Sequence, residues 1–139
     1  MTVNWWKTSL GEKEINRVVK AIRNKNISQG PVTKEFETNL GEYFEIDNVV
    51  AVSSGSSALL VALMALGVKQ GDEVIMPNRT WIATAHAAHM LGAKVVLVDV
   101  EEDSPIIDAS AIEKKITSKT KVILPVHMNG RSANMPLIN

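Results

Sequence analysis

Hydrophobic positions change their period part-way along this chain. As far as residue 44 they recur at helical spacing: Ile15, Val18, Val19 and Ile22 in EKEINRVVKAIRN, then Phe36, Leu40, Tyr43 and Phe44 between residues 32 and 44. Residues three and four apart share one helix face, so both segments predict helices. The first fades around Asn24 to Asn26, and Gly30-Pro31 punctuates the loop ISQGP between them. Beyond residue 48 the apolar residues gather into four short, β-branched runs: VVAV (49–52), EVIM (73–76), KVVLVDV (94–100) and KVILPV (121–126). Nearly continuous runs of this kind are what strands buried on both faces require. Segments of helical character separate them, at 56–66, about 82–91, and 109–116. The alternation predicts βαβ units. The expected fold is α/β: three layers, a mainly parallel sheet with helices on both faces, preceded by two N-terminal helices. Residues 1–47 form a helical segment and leader loop in this scheme, and residues 48–139 the first part of a larger α/β domain. Met135-Pro136-Leu137 looks like the start of another helix, and a doubly wound sheet normally continues past four strands. The pattern is therefore expected to be part of something longer.

Composition narrows the possibilities. At 139 residues the chain can bury a real core, and 45% hydrophobic with 22% charged residues is a globular balance. Fifteen basic residues offset fifteen acidic ones, so no global field draws the protein to nucleic acid or to an anionic membrane. There is no cysteine, which removes disulfides, thiolate metal sites and a cysteine nucleophile. MTVNWWKTSLGEKE lacks the apolar centre of a signal peptide, and the apolar run 58–66 is far too short to span a bilayer. A cytoplasmic protein without nucleic-acid or membrane partners is expected.

The candidate chemistry lies where runs end. After Val52, the stretch Ser53-Ser54-Gly55-Ser56-Ser57 joins an apolar run to a helix. Backbone amides and the helix dipole converge there, which makes an anion site to which serine hydroxyls can add donors. Taken alone, the plainer alternative carries more weight: Ser56 is simply a helix N-cap. The stretch has no G-x-S-x-G, no G-x-G-x-x-G and no P-loop lysine, so a nucleophile elbow or a generic nucleotide-binding fingerprint is not supported. Pro77-Asn78-Arg79-Thr80-Trp81 stands at the carboxyl end of the second run, where open parallel sheets gather ligands. Trp81 could stack on a flat cofactor or pack as core. Arg79 could bind an anion but is more often a surface residue. His86 and His89 share a helix face, but without cysteine or a carboxylate at ligand spacing they read as structural, and no metal site is expected. His127 follows the fourth run, either functional or bonded to backbone. Trp5-Trp6 reads as packing, and Glu101-Glu102-Asp103 as a solvated loop.

Taken in order, four segments resemble the DegT/DnrJ/EryC1/StrS sugar aminotransferase family, pyridoxal-phosphate (PLP) enzymes of fold type I. They are ISQGPVTKEFE, AVSSGSSALLVALMALGVKQGDEVIMP, TWIATAHAAHMLGAKVVLVDVEED and IDASAIEKKITSKTKVILPVHMNG. The resemblance runs from about residue 10 to residue 138. TWIAT and ISQG lean toward the branch that aminates nucleotide-linked 4-keto sugars, which includes perosamine synthase-like enzymes. It implies that Gly55, Ser56 and Ser57 hold the cofactor phosphate, with Ser56 where the family commonly has threonine. It implies that Trp81 stacks on the pyridine ring, and that Ser28 and Gly30 border the sugar-nucleotide site. Residues 48–139 then become the first part of the PLP-binding large domain.

The resemblance also implies what is missing. The family's pyridine-nitrogen aspartate and its cofactor-holding lysine come after the region matched here. Lys114, Lys115, Lys119 and Lys121 do not fit that place, and NGRSANMPLIN departs somewhat from the family's segment. The expected function is that of an N-terminal portion of a homodimeric, PLP-dependent enzyme, which passes an amino group from an amino acid, glutamate, to a nucleotide-linked keto-sugar. The 139 residues alone are expected to be inactive, and to self-associate through uncovered apolar surface. The alternative is a non-catalytic binding or assembly module that keeps the fold without the chemistry.

Overall fold

The computed structural model describes residues 7–139, so Trp5-Trp6 lies outside the described residues. The chain divides into two compact units, one ending at Ala51 and one spanning Val52–Asn139.

The first unit is a helical pair. Helix α1 (Glu12–Arg23) begins at Gly11, whose N–H donates to Glu14 Oε2 at 2.7 Å, and that bond holds the Glu14 carboxyl below its usual range. Helix α2 (Pro31–Phe44) begins with proline at its first position, where a missing N–H costs nothing. It ends at Glu45 in the left-handed conformation, φ 56°, as the Ile46 N–H returns to the Gly41 carbonyl at 2.9 Å. A Cβ on Gly41 would stand 2.8 Å from the Ile46 carbonyl oxygen, so this close return needs glycine. Arg17 reaches Glu35 across the pair at 3.4 Å. Helical periodicity placed both helices correctly, but it did not place their surroundings. No residue of α1 or α2 is buried, and Ile15, Val18, Ile22 and Phe36 are all exposed.

The second unit carries the sheet. Its elements are α3 (Gly55–Ala65), β1 (Glu73–Pro77), α4 (Ile82–Met90), β2 (Lys94–Val98), α5 (Ala109–Ile112), β3 (Thr120–Ile123) and α6 (Met135–Ile138). The three strands are parallel in the order β2-β1-β3, with Val74 aligned between Val95 and Val122. β1 is central and wholly buried. Alternation along it divides the core in two. Val74 and Met76 pack with Leu63 of α3 and with Ala87 and Ala88 of α4, while Ile75 packs on the opposite face with Ile106, Ile107, Ile112 and Ala133. Helices therefore cover both faces, and the expected three-layer α/β arrangement is present.

Three details differ from expectation. The run 49–52 forms no strand. A strand exists only through a ladder, and here the Ala51 N–H goes to the Glu37 side chain at 2.9 Å instead. The runs 94–100 and 121–126 pair over shorter spans, because Val100 turns away to bridge Ile107 in antiparallel fashion and the chain leaves the sheet after Ile123. The helix expected over 109–116 is one α-helical turn, tightened into a 3-10 turn at Glu113–Lys115.

The amino ends of the strands are fastened by a carboxylate. Glu73 is nearly buried; it accepts from the Thr117 hydroxyl at 2.6 Å and from Lys94 Nζ at 2.9 Å, while its N–H donates to the Lys119 carbonyl at 2.8 Å. The Thr117 bond, then Lys94, holds the Glu73 carboxyl below its ordinary range.

Candidate cofactor site at the carboxyl side of the sheet

Topology sets where a ligand can sit. The carboxyl end of β1 runs directly into α4, and the carboxyl end of α3 returns through a short turn to the amino end of β1. Both helices pack on the Val74 and Met76 face, and both start from the carboxyl side of the sheet. Their N-termini carry Gly55, Ser56 and Ser57 in one case and Trp81 in the other.

At α3 the cap is Ser54, not Ser56. The Ser54 Oγ accepts the Ser57 N–H at 3.1 Å and lies 3.0 Å from the Ser57 hydroxyl, and the Ala58 N–H returns to the Ser54 carbonyl at 3.0 Å. The first-turn amides of Gly55 and Ser56 have no protein acceptor among the described residues. Ser56 is exposed and its hydroxyl is not spent on capping. Among the described residues, nothing outside the start of α3 itself lies within 4 Å of where a Gly55 Cβ would be. An 11-residue helix aims its dipole at the same point. Two free amides and a free hydroxyl suit a phosphate group.

Trp81 is the N-cap residue of α4 and is 77% exposed, so it is not packed as core in this structure. Its carbonyl accepts the Thr84 N–H at 3.0 Å, and the hydroxyls of Thr80 and Thr84 stand 3.0 Å apart. The indole thus stands free on a fixed backbone, as a face on which a planar ring can stack. Arg79 is exposed. Sequence reasoning noted Asn78 only as a polar neighbour. Its side-chain amide donates to Asp99 Oδ1 and its main-chain N–H to the Val98 carbonyl at 2.8 Å, tying the turn to the end of β2. The signal for that pairing was that Asn78 follows the second run and Asp99 stands near the end of the third.

The other candidates resolve individually. His86 and His89 are exposed and border a cavity of about 360 Å³ with Ile82, Val95 and Leu97, and no group of metal-ligating side chains forms among the described residues. His127 accepts the Ala133 N–H on Nδ1 at 2.9 Å, which leaves its ring proton on Nε2. That is the backbone-bonded role. Ser28 and Gly30 belong to the first unit, where they form the bend that enters α2, and Gly30 borders a cleft with Gln29, Thr33, Lys34 and Glu37. The Val52–Asn139 unit holds Lys69, Lys94, Lys114, Lys115, Lys119 and Lys121. Lys69 and Lys119 lie in the turns before β1 and β3, Lys94 and Lys121 at the amino ends of β2 and β3, and Lys114 and Lys115 in the 3-10 turn after α5. None therefore lies in the segments 78–81, 99–108 and 124–134 that follow the strands' carboxyl ends.

An open parallel sheet with a glycine-serine helix N-terminus and an exposed aromatic ring at its carboxyl side is a partial α/β domain suited to a phosphate-bearing ligand. The profile of the DegT/DnrJ/EryC1/StrS aminotransferase family matches residues 8–139, and the chain belongs to that family. Among solved structures, it is similar to Spr1654 of Streptococcus pneumoniae, described as a sugar aminotransferase and solved in PMP, PLP and apo forms. Identity is 37% over 94% of this chain and 33% of that one, with a TM-score of 0.89. DesV of S. venezuelae is 39% identical over 91% of this chain and 35% of its own, with a TM-score of 0.82. A 3-amino-5-hydroxybenzoic acid synthase is 35% identical over 94% and 34%, with a TM-score of 0.86. The chain spans about one third of the length of these relatives. The fold is a partial domain of the PLP-dependent fold type I of these relatives, some of which were solved with PLP or PMP bound. The unbonded amides of Gly55 and Ser56 suit a phosphate, and the exposed Trp81 suits a planar ring. None of the described helices is long and apolar enough to cross a membrane.

Proposed function

We propose that these residues are the cofactor-anchoring N-terminal part of an aminotransferase that moves an amino group from glutamate to a nucleotide-linked keto-sugar. The open pair of amides at Gly55 and Ser56 carries the proposal, because Ser54 caps the helix and leaves them free for a ligand. In this reading Gly55, Ser56 and Ser57 hold the cofactor phosphate, and Trp81 covers one face of the pyridine and excludes water from it. Ser28 and Gly30 border the sugar nucleotide. PLP, when bound, supplies the electron sink that lets nitrogen pass between an amino acid and a ketone. The sugar assignment draws on the resemblance of Spr1654 and on the ISQG and TWIAT segments. The synthase of an aminobenzoate among the relatives makes a non-sugar ketone the competing substrate class.

The 139 residues alone anchor the cofactor without turnover, because no lysine of the sheet unit lies in the segments that follow the carboxyl ends of its strands. The protein works as a cytoplasmic homodimer, and the exposed apolar residues of both units supply surface for association. Titration with pyridoxamine 5′-phosphate, which forms no adducts with surface lysines, tests the anchor. Saturable quenching of tryptophan fluorescence that is lost in Trp81→Ala is expected, and its persistence in that variant refutes the stacking role. The full-length polypeptide, given glutamate and a nucleotide-linked 4-keto sugar, is expected to yield the amino sugar by mass spectrometry. Binding of the cofactor without any turnover in the full-length protein would favour a non-catalytic module.

A further inference from the structure

The turn that carries Trp81 is held from outside itself. An indole that is 77% exposed is not fixed by packing, so its direction depends on the backbone of residues 77–81. Within the turn, the carbonyl of Trp81 and the hydroxyl pair Thr80–Thr84 tie it only to the start of α4. The tie to the rest of the sheet is Asn78. Its N–H extends the β1–β2 ladder by one step to the Val98 carbonyl, and its side-chain amide donates to Asp99 Oδ1. Asp99 is itself well anchored. Its carbonyl accepts the Asp108 N–H at 2.9 Å, and the next residues close a short hairpin through Val100–Ile107 and a 2.9 Å bond from the Glu101 N–H to the Ile106 carbonyl. Ile106 and Ile107 are buried in the core on the far face of the sheet. A continuous set of bonds therefore leads from the core, through Asp99 and Asn78, to the residue three positions before the indole.

We propose that Asn78 and Asp99 are positioning residues that set the Trp81 ring over the site of the cofactor ring. The inference rests on the stacking role of Trp81 argued above. A stacked ring gains only when the indole is already oriented, because an exposed side chain must otherwise be immobilised on binding. The donor and acceptor in this bond are isosteric, so exchanging them is possible. Asn78→Asp sets two carboxylates against each other, whereas the exchange Asn78→Asp with Asp99→Asn rebuilds one amide–carboxylate bond in reverse.

The test uses the 139-residue chain with Trp5→Phe and Trp6→Phe, which leaves Trp81 as the sole reporter. The reads are its fluorescence anisotropy, its affinity for pyridoxamine 5′-phosphate and the affinity for inorganic phosphate, with circular dichroism and Tm as controls of folding. Asn78→Asp is expected to lower Trp81 anisotropy and weaken pyridoxamine phosphate by about threefold to tenfold, with phosphate affinity unchanged. The exchanged double variant is expected to recover both. Unchanged anisotropy in a folded Asn78→Asp, or a folded double variant that recovers neither signal, overturns the inference. If the parent binds pyridoxamine phosphate no better than it binds phosphate, the stacking role has failed. Anisotropy then decides the brace alone: loss in the single variant with recovery in the exchange supports it, and no change refutes it.

Discussion

Ser54 and Ser56 are alike in chemistry and two positions apart, yet they have different tasks. Ser54 spends its hydroxyl on the Ser57 amide, and Ser56 keeps its own free. Ser54→Ala should therefore cost about 1 kcal/mol of stability, read as a lower Tm. Ser56→Ala should leave Tm nearly unchanged and weaken pyridoxamine phosphate binding. A reversed order of these effects would return Ser56 to a plain capping role. The sequence marked this stretch as an anion site or a cap at Ser56; the cap falls on Ser54 instead, and the anion role of Ser56 is the proposal. Which hydroxyl caps depends on where the first helical turn closes, and a row of neighbouring serines does not show that. For Trp81, read without its context, the core was favoured over the cofactor. Its exposure is decided by what α4 leaves uncovered, not by its own type.

Among elements, the most legible were those with strong period and clear ends. Helices α1, α2, α3 and α4 lie within a residue or two of where spacing put them, because a helix closes its own hydrogen bonds. Strands cannot. The run 49–52 is as β-branched as β2, but only β2 has a ladder partner. Gly71-Asp72 and Gly92 lie in the turns before β1 and β2. Gly92 sits at φ +72°, and a Cβ there would lie 3.1 Å from the Gln70 Cβ and 3.3 Å from its Cα. Gly92→Ala should therefore destabilise by about 1–3 kcal/mol, seen as a lower denaturation midpoint. Wild-type stability in that variant would mean the turn adopts another conformation.

For the whole molecule, two consequences follow from how charge and apolar surface are distributed. Glu73 fastens the amino ends of β1 and β2 to the turn before β3 through Lys94 and Thr117, and those bonds hold its carboxyl below the ordinary range. A carboxyl whose folded value is depressed contributes stability above its unfolded value and loses it as pH falls through the folded one. Stability should accordingly decline as pH drops below about 4, and Glu73→Gln should be less stable at neutral pH with a shallower acid limb. An acid limb of equal steepness in Glu73→Gln would place the sensitivity elsewhere. On α1, Ile15, Val18 and Ile22 form an uncovered apolar stripe. The chain should associate at micromolar concentration, and Val18→Glu should lower the mass measured by light scattering. A monomeric parent protein would contradict this.

By itself, the sequence determined what local physics can determine: helix periods, β-branched runs separated by crossovers, glycine turns, and a set of segments in the order of one family. Those features depend on spacing along the chain, and spacing is fully visible there. Tertiary structure decided which runs found a ladder, which serine was spent on a cap, and which apolar face was buried. It also paired Asn78 with Asp99. The cap depends on where the first turn of α3 closes; the others depend on groups far apart in sequence, which meet only when the chain folds.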